Sequence, residues 1–257
     1  MRTTVLAALI ALALPLAASA AQPSKPAGAI PANIAAAVAD PARKADAANN
    51  DARRKGGELL AFAQVKPGQS VVDLIPGGGY FTRLFSAAVG AKGHVYAVWP
   101  NEYAQEADSD VKGSNALAAQ PHYKNVSVLL QPGNQFSVPK PVDMVFTSQN
   151  YHDYPDKFMG NIDPAVLNKQ VFDALKPGGL YVIVDHVAET GSGMRDTDTL
   201  HRIDPAIVKK QVEAAGFVFD GESEVLRNAA DPHNIKVFDK SIRGHTDQFA
   251  YRFRKPG

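Results

Sequence analysis

The stretch Val71-Val72-Asp73-Leu74-Ile75-Pro76-Gly77-Gly78-Gly79-Tyr80 decides how the rest of this 257-residue chain is read. Ser70 to Leu74 is a short apolar run with the β-branched residues that a buried parallel strand favours. Three glycines interrupt it, and Phe81, Leu84, Phe85 and Ala88 then recur at helical spacing up to Gly90. Strand, glycine turn and helix in that order form a ligand-binding corner. Glycine lets the backbone approach a ligand closely because no β-carbon intervenes. The helix start that follows offers free N–H groups to a carboxylate or phosphate.

Downstream of this corner the same alternation continues. His94 to Val98, Val126 to Leu130 and Val142 to Thr147 read as strands two, three and four. Asp163-Pro164 opens a helix as N-cap and first-turn proline, with Leu167, Val171 and Leu175 on one face. Lys176-Pro177-Gly178-Gly179 stops that helix and launches a fifth strand, Leu180 to Asp185. Asp204-Pro205 repeats the capping device before Val208, Val212 and Ala215, and Phe217 to Phe253 holds two final strands. Repeated strand–helix units predict an α/β fold. The sheet is doubly wound, seven-stranded, mainly parallel and Rossmann-like, lies in three α/β/α layers, and ends in a C-terminal antiparallel hairpin. In such a sheet ligands bind at the carboxyl ends of the strands, near the switch in strand order.

Upstream, residues 1–20 read as an export signal. Arg2 gives a positive start, Val5 to Leu16 an apolar run, and Ala18-Ser19-Ala20 a small-x-small cleavage site. Residues 21–31 read as a flexible linker and 32–65 as an Ala-rich helical segment broken at Asp40-Pro41. The main domain then occupies 66–257. In Asp51-Ala-Arg-Arg-Lys the charges read as a solvated helix face, with an anionic ligand as the lesser alternative. The mature chain is expected in a bacterial periplasm or outside the cell, with no stable membrane anchor once the signal is removed.

Composition narrows the function classes. Lys and Arg number 27 against 26 Asp and Glu, so no positive field points to nucleic acid as a partner. The absence of cysteine excludes disulfides, a thiolate nucleophile and thiolate zinc sites. A nicotinamide dinucleotide would ask for G-x-G-x-x-G and an acid at the tip of the second strand. Here Thr82 stands at the last glycine position and Trp99 at the strand tip.

From about Arg53 to Phe253 the chain instead resembles the class I S-adenosylmethionine-dependent methyltransferases. The resemblance rests on Val71 to Gly79, on Ala174-Leu-Lys-Pro-Gly-Gly-Leu180 and on Glu213-Ala-Ala-Gly-Phe217, in the right order and spacing. The Tyr-His-Asp, Asp-His and Leu-His-Arg-Ile-Asp segments are similar to a group of exported bacterial proteins described only as predicted methyltransferases. The resemblance implies S-adenosylmethionine as cofactor. It puts Asp73, Gly77, Gly78 and Gly79 around the donor's methionine part, and Ser148, Gln149 and Asn150 beside the sulfonium. The chain departs from the family pattern at Ile75, which replaces the first glycine, and at Trp99 and Pro132, which stand where acids hold the ribose and read the adenine. Trp99 is then a stacking surface for the base, and Glu102 and Asn134 are the nearby polar substitutes.

Five further residues are expected at the same rim: His152, Asp153, Asp185, His186 and His201. As acid–base machinery, His152 is the base, Asp153 or Asp185 orients it, and His186 and His201 position the acceptor. As a divalent metal site, His152, Asp185, His186 and His201 offer suitable donors, but no tight spacing such as H-x-x-x-H supports that choice and no metal is predicted. As plain structure, the histidines tie loops together. Methyl transfer to a small-molecule acceptor is therefore the leading function. A non-catalytic binding or sensor protein on the same scaffold and a metal-assisted enzyme are the alternatives.

Overall fold

The computed structural model describes residues 29–43 and 45–257, so the expected export signal and most of the linker lie outside the described residues. Three short helices come first: α1 (Ala32–Val38), α2 (Ala45–Arg54) and α3 (Gly56–Phe62). Strands and helices then alternate. β1 is Ser70–Leu74, α4 Tyr80–Val89, β2 His94–Pro100, α5 Asn101–Glu106, α6 Asp108–Ala118, β3 Val126–Gln131 and β4 Val142–Ser148. α7 is Pro164–Ala174, β5 Leu175–His186, α8 Thr197–Leu200, α9 Pro205–Ala214, β6 Val218–Ser223 and β7 Gln248–Arg254. Among the described residues no helix is long and apolar enough to cross a membrane.

The seven strands form one sheet in the order β3-β2-β1-β4-β5-β7-β6. β1 to β5 run parallel, and β7 is antiparallel to both β5 and β6. The chain thus reverses direction across the sheet between β1 and β4, and a crevice opens beyond their carboxyl ends. Period-two alternation feeds two cores. In β5, Tyr181 and Ile183 enter the core shared with α7 and α9, while Leu180, Val182 and Val184 enter the one shared with α1, α3 and α4. Both faces are covered, as a parallel sheet requires.

Local chemistry sets the element ends much as the sequence indicates. Asp163 and Asp204 each cap their helix by accepting from the backbone N–H two residues on, at 2.8 and 2.9 Å. Lys176 to Gly179 is not a loop before β5 but a bulge within it. Leu175 pairs with Val142, Leu180 with Met144, and Gly178 has φ +76°. β2 runs two residues past the apolar segment and keeps Trp99 paired with Leu130. That extension matters for the site.

Candidate active site

The loop after β1 and the loop after β4 face each other across the switch point and are tied there. Asn150 Nδ2 donates to the carbonyl of Ile75 at 3.1 Å and to that of Ser148 at 2.7 Å. Arg83 pins the glycine turn by donating to the carbonyls of Gly78 and Gly79 at 2.8 and 2.9 Å. A β-carbon placed on Gly77 would meet nothing within 4 Å, so packing does not demand glycine there. The open volume belongs to a cleft of about 440 Å³ that Gly77, Ser148, Gln149, Asn150, His152, Asp153, His186 and His201 help to line. Its size falls in the range of about 300–1,000 Å³ typical of small-ligand pockets. Three non-glycine residues on its wall hold left-handed backbone: Ile75 at φ +57°, Gln149 at +67° and His201 at +53°. Strain of this kind persists only where the surroundings enforce it. At Ile75 it explains why the resembling family has a glycine.

The structure gathers the five rim residues around His152, with His186 alongside but turned away. The carboxylate of Asp185, fully buried, accepts from His152 Nδ1 at 2.8 Å and from the His152 backbone N–H at 2.9 Å. On its other side, His152 Nε2 lies 3.2 Å from Asp153 Oδ1 and 3.3 Å from His201 Nδ1. Burial alone would push the His152 pKa down, but the flanking charges of Asp185 and Asp153 outweigh it and raise it to about 9. These charges favour the protonated ring, so a role as general base requires that this proton first leave. Burial likewise works against the Asp185 carboxylate, yet His152 overrides it and holds that pKa below the ordinary value. His186 turns the other way, with Nδ1 2.8 Å from Thr246 Oγ1, and burial pushes its pKa down to about 3, so it is neutral.

The residues expected around the donor divide. Gly77, Ser148, Gln149 and Asn150 line the cleft, Gly78 is exposed, and Gly79 caps α4 at φ +75°. Asp73 lies beneath the loop, buried, with its carboxylate accepting from Thr82 Oγ1 at 2.6 Å. Burial raises its pKa to about 6 against the pull of Thr82 and Arg54. Trp99 does not face the cleft. It is 0 % exposed, packs in the core and donates its indole N–H to Ser114 Oγ at 3.2 Å, which corrects the stacking role. Glu102 accepts from the Gly133 backbone N–H at 2.9 Å. Tyr151 and Tyr154 are core residues.

Arg54 belongs to the charged stretch for which the sequence ranks a solvated face above an anionic ligand, and the structure favours the lesser alternative. It is half-buried, stacks over both Tyr80 and Phe81 at 5.0 Å and reaches Ser148 Oγ at 3.5 Å. With Arg53 and Arg243 it lines a side pocket of about 190 Å³ that adjoins the cleft through Ser148, Gln149 and His186. No carboxylate lines this pocket. Among the described residues none of the three arginines forms an ion pair there. The partners of Arg54 lie far along the chain, and the pattern of α2 alone carries no sign of them.

Comparison with solved structures places the fold. A SAM-dependent methyltransferase from Aquifex aeolicus superposes with a TM-score of 0.57 over 80% of this chain and 92% of its own, at 20% identity. The chain has the class I methyltransferase fold. The [4+2]-cyclase SpnF shares it as well, at a TM-score of 0.58 and 15% identity over 79% of this chain and 80% of that one. No family model matches the chain. Among curated proteins it is similar to the ubiquinone/menaquinone biosynthesis C-methyltransferase UbiE of Vibrio cholerae, 28% identical over 188 residues. That match takes in 71% of this chain and spans 60% of the relative's own length.

Proposed function

We propose that the protein transfers a methyl group from S-adenosylmethionine to a small-molecule acceptor in the cleft beyond β1 and β4. The observation that carries this is the open cradle at Gly77, facing Ser148 to Asn150 across the crevice. Methyl transfer is an in-line displacement and depends mainly on placing a nucleophile against the donor's methyl group. Loops tied by Asn150 and pinned by Arg83 supply such placement. The distant similarity to UbiE, named as a C-methyltransferase of quinone biosynthesis, supports a small acceptor. The carboxylate-free pocket around Arg53, Arg54 and Arg243 supports an anionic group, on the donor's amino-acid end or on the acceptor.

In this reading His186, neutral and buried at the rim, offers an uncharged ring to the acceptor, and His152 with Asp185 and Asp153 fixes the wall against which the acceptor rests. Export by way of residues 1–20, shared with the exported bacterial group that the sequence resembles, belongs to the same proposal. The test is single-turnover transfer of a labelled methyl group from S-adenosylmethionine to a panel of phenolic, quinol and carboxylate acceptors. Labelled product formed with the intact chain supports the reading. Donor binding without transfer to any acceptor favours the sensor alternative, which shares the cradle but not the chemistry.

A further inference from the structure

The rim cluster contains a set of donor atoms to which the methyl-transfer reading gives no role beyond shaping the wall of the cleft. His152 Nε2, Asp153 Oδ1 and His201 Nδ1 form a triangle with sides of 3.2, 3.3 and 3.8 Å. Among the described residues this is the one trio of His, Cys, Asp or Glu whose donor atoms converge so. We propose that these three residues form a binding site for a divalent transition-metal ion of the zinc class, with its open coordination position facing the cleft.

The geometry argues for this first. Metal–ligand bonds of about 2.0–2.2 Å in a tetrahedral array place neighbouring donor atoms roughly 3.3–3.6 Å apart. The triangle matches that spacing better than the roughly 3.0 Å expected between neighbours around octahedral magnesium. Donor chemistry points the same way, because two imidazole nitrogens and one carboxylate oxygen suit zinc, iron or cobalt and not magnesium or calcium.

The surroundings of His152 add a second argument. Its Nδ1 is held by Asp185 at 2.8 Å, and the same carboxylate grips its backbone N–H. With Nδ1–H donated to Asp185, the proton an incoming cation would displace is the one on Nε2, and its departure leaves the Nε2 lone pair aimed at the triangle. A carboxylate behind a ligating histidine is the usual means of fixing ring and tautomer at a metal. Asp185 is thus the supporting acid, not a ligand, and His186, turned to Thr246, stands outside the set.

His201 supplies a third. It follows the single turn of α8 with left-handed backbone at φ +53°, a costly conformation for a residue with a β-carbon. That conformation brings its ring edge-on to His152, with centroids 5.4 Å apart, while its outer face packs on Phe238 at 4.9 Å. The side chains of His152 and Asp153 are 3 % and 4 % exposed, whereas that of His201 is 24 % exposed and lines the cleft. Three sides of the ion are therefore protein and the fourth is the pocket. The open position suits an oxygen donor of a bound small molecule, such as a phenolate, enolate or carboxylate.

The experiment needs no methyl donor, so its failure is distinct from failure of the methyl-transfer reading. The full chain is stripped with a chelator and titrated with Zn²⁺ by calorimetry, with metal content measured after dialysis. One equivalent per chain is expected. His201→Asn, which keeps a residue tolerant of left-handed backbone, is expected to weaken binding at least 100-fold, as is Asp153→Asn. His233→Gln, remote from the trio, is expected to bind as the parent. Should a variant fail to fold, Co²⁺ added to the unmodified chain decides the matter, with the visible absorption of a four-coordinate nitrogen–oxygen site expected. No stoichiometric ion in the intact chain would overturn the proposal, leaving the cluster to hold a proton. So would unchanged binding in both His201→Asn and Asp153→Asn.

Discussion

The carboxylate of Asp185 grips His152 twice, accepting from its ring Nδ1 at 2.8 Å and from its backbone N–H at 2.9 Å, and it also accepts from the His186 backbone N–H at 2.7 Å. One fully buried group at the end of β5 thereby fixes the first residues beyond β4. Removing one partner of a buried ion pair leaves the other uncompensated, which costs about 3–5 kcal/mol. Asp185→Asn is expected to lower stability by about 3 kcal/mol or more, read as a reduced urea midpoint at unchanged slope. A midpoint shift worth less than about 1 kcal/mol would show that the grip is not a structural anchor.

Asp73 makes stability depend on pH in a stated direction. Its folded pKa, about 6, lies above the ordinary 3.8, so the folded chain holds this proton more tightly than the unfolded chain. The stabilisation from the protonated carboxyl is complete at low pH, and it is lost as pH rises from about 4 through 6. Asp73→Asn keeps an acceptor for Thr82 and removes the burial of charge beside Arg54. The variant is expected to lack that decline and to be more stable than the parent at pH 7 by on the order of 2 kcal/mol. Urea unfolding at pH 4, 5, 6 and 7 measures both curves, and parallel curves would refute the assignment.

Arg202 is buried and donates to Val187 O and Ile235 O at 2.8 Å and to both oxygens of Asp231 at 2.9 Å. It staples the long excursion between β6 and β7 to the rim, and its charge is fully used there. Arg202→Met strands a buried carboxylate, and a loss of about 3 kcal/mol or more is expected in the same unfolding measurement.

Arg54 is the opposite case, a guanidinium stacked on the rings of Tyr80 and Phe81 that feels the buried Asp73 carboxylate but forms no direct ion pair among the described residues. Arg54→Gln is expected to weaken binding of an anionic ligand by roughly tenfold to a hundredfold, the worth of one charge-assisted hydrogen bond. Stability should change by less than about 1 kcal/mol. Calorimetry with S-adenosylhomocysteine, whose carboxylate is the probe, checks this, and unchanged affinity would put the arginine pocket outside the donor site.

The fold was legible because its signals are local. The strand run at Ser70 to Leu74, the glycines after it and the Asp-Pro caps at 163 and 204 each act within a few residues, and together they place the cleft. The meeting of His152, Asp185 and His201 followed from knowing that strand ends share one rim. What local patterns did not carry was set by distant partners. Trp99 looked like a strand tip, but pairing of β2 with β3 continues to Pro100 and draws the indole into the core. Arg54 looked solvated because Tyr80, Phe81 and Ser148 reach it only through the tertiary fold. The protonation of His152 depends on two carboxylates approaching from different sides, which spacing along the chain does not reveal.

The central claim is that the space at Gly77 is the berth of S-adenosylmethionine. Asparagine tolerates the left-handed backbone that Gly77 holds at φ +54°, and its side chain would enter space that is otherwise open. Titration of the intact chain with S-adenosylmethionine and with S-adenosylhomocysteine should show saturable one-to-one binding. Gly77→Asn should lose that binding while its melting temperature stays within a few degrees of the parent. Absence of binding of either nucleoside to the intact chain at millimolar concentration, or full affinity in Gly77→Asn, would contradict the claim.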